Sequence, residues 1–170
     1  MSRWLLKILV VVSAFSLPGG MVHAACSRGD MGGSPSAFSF GPSLKMILPN
    51  PLPDLTTSIP TYGLVMNFPF FSDAIQASAN YGSGDGVSLY LAEVDYRYYI
   101  PTPFLSPFLI GGVHYLYYNF ADRNHNYAGA NLGLGLRLAM GQYLDLQLAM
   151  KIFIQEERMV SFSGGLLFRL

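Results

Sequence analysis

The residues able to do chemistry in this chain of 170 are few, and most of them are charges. Lys45, Glu93, Asp95, Arg97, Arg137, Asp145, Lys151 and Arg169 stand singly in apolar or glycine-rich stretches. Charges placed so are expected to pair with one another, because a charge taken out of water alone is expensive. The histidines are His23, His114 and His125, and Cys26 is the single cysteine, so no intramolecular disulfide can form. No metal-ligand spacing, phosphate loop or P-loop is present, and no cofactor is expected. Ten Lys and Arg balance ten Asp and Glu, with no basic stripe of the kind that binds nucleic acid.

What must position those charges is an alternation. Ala128, Ala130, Leu132, Leu134, Leu136, Leu138 and Met140 are apolar, and the residues between them are small or polar. After Gly141-Gln142 the pattern resumes with Leu144, Leu146, Leu148, Met150, Ile152 and Ile154. It returns after Glu156-Glu157-Arg158 with Val160, Phe162, Gly164, Leu166, Phe168 and Leu170. A strict period of two marks β-strands with one apolar face. Each run is about a dozen residues, roughly twice the usual globular strand and enough for a tilted strand to cross a bilayer. The bulky face then meets lipid, and the face of glycine, serine and charge turns inward. A soluble antiparallel barrel with its apolar face inside is the alternative. The hydrophobic fraction is 51%, yet no apolar run beyond the N-terminus reaches the length of a membrane helix.

Residues 1–24 read as a secretory signal peptide: Arg3 and Lys7, an apolar core from Ile8 to Leu17, then Val22-His23-Ala24 before the cut. Its removal takes two positive charges from a neutral chain, leaving about −2. Residues 25–35 are expected to be a flexible tail. Cys26 raises lipid attachment, but His23 stands where such a signal wants an aliphatic residue. Arg28-Gly29-Asp30 matches an integrin-binding tripeptide, a pattern too short to carry weight.

The domain from 36 to 170 divides into eight expected strands, near 36–48, 60–70, 74–81, 87–100, 106–118, 127–140, 144–154 and 160–170. Proline-rich, glycine-rich and polar segments separate them, including Phe71-Ser72-Asp73 as a turn and Asp122–Asn126 as a loop. The expected fold is all-β: an eight-stranded antiparallel up-and-down transmembrane β-barrel. An even count puts both ends of the barrel on one side. Aromatic residues then gather at strand ends (Phe38, Phe40, Phe68, Phe70 and Phe168 at one level, Tyr115 and Tyr117 at the other), as interfacial girdles do.

The chain also ends on a pattern. Ser163, Gly165, Phe168 and Leu170 are similar to the terminal signal that outer-membrane barrels present to their assembly machinery, with Leu where Phe is usual. With Pro107–His114 and Asn131–Arg137, this stretch resembles the OmpA-like and OmpX-like small outer-membrane barrels. The resemblance implies the outer membrane of a Gram-negative bacterium, a monomer surrounded by lipid and lipopolysaccharide, and the barrel assembly machinery as partner. Folds of this kind host unrelated tasks; the role expected here is non-enzymatic, in envelope structure or surface interaction. The enzymatic alternative is lipid A modification, where a His and a Ser two apart on a lipid-facing strand activate the serine. Here Leu116 follows His114 and Tyr127 follows His125 at that spacing. A narrow channel for small solutes is the third possibility, against a lumen plugged by side chains.

Hairpin parity makes the interior more specific. Inward residues must face inward residues, so a three-residue turn at 140–142 sets Ala139 opposite Tyr143 and Arg137 opposite Asp145. A three-residue turn at 156–158 sets Gln155 opposite Met159 and Asp145 opposite Arg169. Two arginines are thus expected on one carboxylate. Gly135, also inward, is expected to accept a small polar side chain.

Overall fold

The computed structural model describes residues 37–49, 58–84, 86–100, 102, 105–120, 123–155 and 159–170. The expected leader, the tail with Cys26 and Arg28-Gly29-Asp30, and most of the proline-rich segment after Pro49 lie outside the described residues. Alternation builds eight strands: β1 (Ser39–Pro49), β2 (Ile59–Phe70), β3 (Asp73–Gly84), β4 (Val87–Tyr99), β5 (Leu105–Phe120), β6 (Arg123–Ala139), β7 (Leu144–Ile154) and β8 (Met159–Arg169). Each pairs antiparallel with the next, and β8 returns to β1 to close the barrel. Closure leaves no strand edge without a partner strand.

The register sets the stagger. From Ser39 the directly paired residues run through Asn67, Gln76, Asp95, Gly112, Asn131, Phe153 and Met159. They return to β1 at Pro49, ten residues further along. A stagger of this kind obliges the strands to tilt, typically by about 35–45°. Leu170 donates its N–H to the Phe38 carbonyl at 3.0 Å, so the C-terminus is tied into the closing seam.

The faces fall as the alternation requires. Leu44, Leu64, Leu109, Leu132, Leu134, Leu148 and Phe162 are exposed on the outer wall. Lys45, Glu93, Asp95, Arg97, Arg137, Asp145 and Lys151 are buried inside. Aromatic side chains collect at both strand ends. Tyr62, Tyr81, Tyr90 and Tyr117 form successive cross-strand ring pairs at 5.8, 4.9 and 6.0 Å, and Phe40 meets Phe168 at 6.4 Å at the other end.

Several expectations need correction. β3 runs to Gly84 and β6 begins at Arg123, so His125 lies in a strand and not in a loop. The turn before β3 is only Phe71 and Ser72, with Asp73 already paired to Phe70, and Phe71 sits at φ 56°, an unusual setting for a bulky residue. The lumen is not polar throughout. Ile47, Ile59, Leu89, Leu91, Leu116, Phe153 and Met159 fill its loop end with an apolar layer. Finally, Gly135 has no room for a side chain: an added Cβ would overlap the Phe108 ring and lie 2.6 Å from the Leu148 carbonyl oxygen.

Candidate functional site

The lumen below that apolar layer holds two groups of charges. In the upper group the Glu93 carboxylate accepts from Lys151 Nζ at 2.9 Å and from Lys45 Nζ, while Lys151 also reaches Asp95. Ser78 Oγ donates to Glu93 at 2.9 Å. The four charged side chains are at most 4% exposed. Lys45 stands on β1, Glu93 and Asp95 on β4, and Lys151 on β7. None of those strands neighbours another, so these bonds cross the hollow instead of running along its wall. Two ammonium groups against two carboxylates leave the group neutral, as deep burial demands.

Arg97 lies next toward the terminal end. Its hydrogen bonds go to amide oxygens, to Gln147 Oε1 at 2.5 Å and to Gln76 Oε1, and its guanidinium lies over the Phe108 ring at 4.6 Å. The expectation that every interior charge meets an opposite one therefore fails here among the described residues. Polarised amides and an aromatic face hold this cation instead. Gln147 also donates to the Tyr99 hydroxyl at 3.3 Å, so another chain of contacts crosses from β7 to β4.

The lower group centres on Asp145. Arg137 reaches Oδ2 at 2.9 Å and Arg169 reaches Oδ1 at 2.8 Å, so one carboxylate takes two guanidinium groups. The register that brings them together differs from the expected one. Ala139 pairs with Asp145 and Arg137 with Gln147, while Asp145 pairs with Leu167 and Phe153 with Met159. Both hairpins are thus shifted by two residues, and each Arg–Asp contact is diagonal. Parity is conserved by a shift of two, so all three side chains still point inward. Arg169 Nη2 also donates to the Gly141 carbonyl at 2.6 Å. Asp73, which sequence reasoning left in a turn, accepts from the Tyr99 backbone N–H at 3.2 Å and from the Tyr96 hydroxyl.

Neither histidine is set beside a serine at hydrogen-bond distance among the described contacts. His114 Nε2 lies 2.9 Å from Gln155 Oε1 and its ring meets Phe153 edge-on at 4.6 Å. His125 stacks on Tyr118 at 4.8 Å. Of the terminal residues, Ser163 Oγ donates weakly to the Ala149 carbonyl at 3.4 Å, Gly165 pairs with Ser43 and Gln147, and Phe168 and Leu170 are exposed outward.

The chain is similar to the N-terminal β-barrel domain of Pseudomonas aeruginosa OprF, with a TM-score of 0.62 and 18% identity over 81% of this chain and 99% of that one. It is similar to Neisserial surface protein A (TM-score 0.59, 10% identity, 78% and 96% covered). It is also similar to Ail, the attachment invasion locus protein of Yersinia pestis (TM-score 0.51, 10% identity, 79% and 97% covered). No family model matches the chain, and no curated protein matches it by sequence. The likeness is one of fold: a closed, eight-stranded antiparallel β-barrel. Its exposed apolar belt between two aromatic levels is a surface for lipid, not for water.

Proposed function

We propose that the chain is a closed, non-enzymatic barrel of the bacterial outer membrane, with an envelope-structural or surface-interaction role and a lumen plugged by its own side chains. The observation that carries this reading is the bonding of Lys45 and Lys151 to Glu93 across the hollow from three non-adjacent strands. An eight-stranded barrel leaves an interior that side chains can just fill. An ion passing through would have to part buried charges, each left without compensation. The apolar layer above and the Asp145 pair of contacts below stand in series with that barrier. A closed barrel has no strand edge to hide, so a monomer in lipid and lipopolysaccharide, delivered by the barrel assembly machinery, satisfies its backbone. The names of two similar structures, a surface protein and an attachment protein, support a surface role without specifying a ligand. Planar-bilayer recordings of the refolded protein test the plug directly. A flat baseline at moderate voltage is expected; reproducible single-channel steps would contradict it.

A further inference from the structure

We propose that the lumen seats one halide ion as a resident counter-charge among Lys45, Arg97 and Lys151; this goes beyond the closed-lumen reading above and rests on it. A cavity of about 30 Å³ lies beside those three side chains, and each of the three residues is at most 4% exposed. A buried water needs about 10–15 Å³ of such space, so there is room for about two particles of that size. Gln76, Gln147 and Ser163 also line it, and no carboxylate stands among its described lining residues. Glu93 and Asp95 bond the two lysines without lining the cavity.

Charge selects the occupant. Lys45 and Lys151 are matched by Glu93 and Asp95, whereas Arg97 meets only amide oxygens and the Phe108 ring among the described contacts. One positive charge is thus in excess at the middle of the lumen. The layer toward the terminal end does not remove it, because Arg137 and Arg169 are balanced there by Asp145 and Asp73. A buried charge without a counter-charge is expensive. Hydrogen-bond donors are in excess as well. An ammonium group carries three donors, and Lys45 spends one on Glu93, while Lys151 spends two on Glu93 and Asp95, among the described contacts. Arg97 Nε has no partner among the described residues, and Ser163 Oγ makes only a 3.4 Å bond to the Ala149 carbonyl. Both glutamine side-chain oxygens already accept from Arg97. The cavity wall therefore calls for an acceptor that carries one negative charge. A water molecule accepts but brings no charge, a metal cation adds to the excess, and a phosphate is larger than the cavity. A halide meets all three conditions.

The test is a crystal structure of the protein refolded in sodium bromide with no other halide, its crystals washed free of unbound bromide and measured at the bromine absorption edge. One anomalous peak is expected in the cavity, within hydrogen-bond distance of Arg97 Nε and Lys45 Nζ. It is expected to vanish in Arg97→Gln prepared in the same way. Water alone in the cavity, with any bromide confined to the protein surface, would overturn the proposal. That result needs only the parent protein, so it holds even where the variant does not fold. A peak undiminished in Arg97→Gln would overturn it too, because the ion would not then answer the excess charge. A continuous file of water from one mouth of the barrel to the other would instead overturn the closed-lumen reading beneath it.

Discussion

Asp145 is the residue on which most depends at the smallest scale. It is 1% exposed and is the carboxylate shared by Arg137 and Arg169. Replacing it with alanine removes the carboxylate that the two guanidinium groups share. Breaking a buried pair typically costs about 3–5 kcal/mol. The Arg169 side chain is 20% exposed and keeps its bond to the Gly141 carbonyl, which draws the expected loss toward the lower end. Urea titration of Asp145→Ala in bilayers measures it. A change below about 1 kcal/mol, the value of a solvated surface pair, would show that water already compensates these charges.

At the scale of elements, the strands were legible because outward residues are apolar and their neighbours are not. β6, β7 and β8 carry that contrast along most of their length, and their bounds agree with the expected ones within a few residues except at the start of β6. The loop-end interior was not legible, for a physical reason. In Leu89-Tyr90-Leu91-Ala92 both faces are apolar, so alternation carries no information about what fills the inside. The pairing of Asp145 with two arginines followed from parity, which any even shift preserves, whereas the shift itself depended on loop length. The Lys45–Glu93–Lys151 group was beyond hairpin reasoning altogether, because its members sit on strands that never pair. The outward run that begins on β6 extends from Ala128 to Met140, just past the strand's end, with Leu134 at its centre. Leu134→Arg is therefore expected to destabilise the barrel in bilayers by about 2–4 kcal/mol, and Leu138→Arg, near the interface, by about 0–1 kcal/mol. Equal costs at the two positions, read from folding titrations, would remove the depth assignment.

The whole molecule is an apolar-walled barrel with a layered interior: an apolar cap, a neutral four-charge group, an arginine held by amides, and a carboxylate between two arginines. The four-charge and Arg97 layers join non-adjacent strands and so brace the barrel across its hollow, while the Asp145 layer joins the neighbouring strands β6, β7 and β8. Which face meets lipid separates a membrane barrel from a soluble one, because a soluble barrel of the same alternation would turn the other face to solvent. Leucines occur on both faces, Leu134 and Leu148 outside and Leu91 and Leu116 inside, which makes the question measurable within one sample. The decisive measurement is paramagnetic broadening of leucine methyl resonances by spin-labelled lipid in nanodiscs. Strong broadening at Leu134 and Leu148 with Leu91 and Leu116 left sharp is the expected result; broadening of the second pair and sparing of the first would contradict the account.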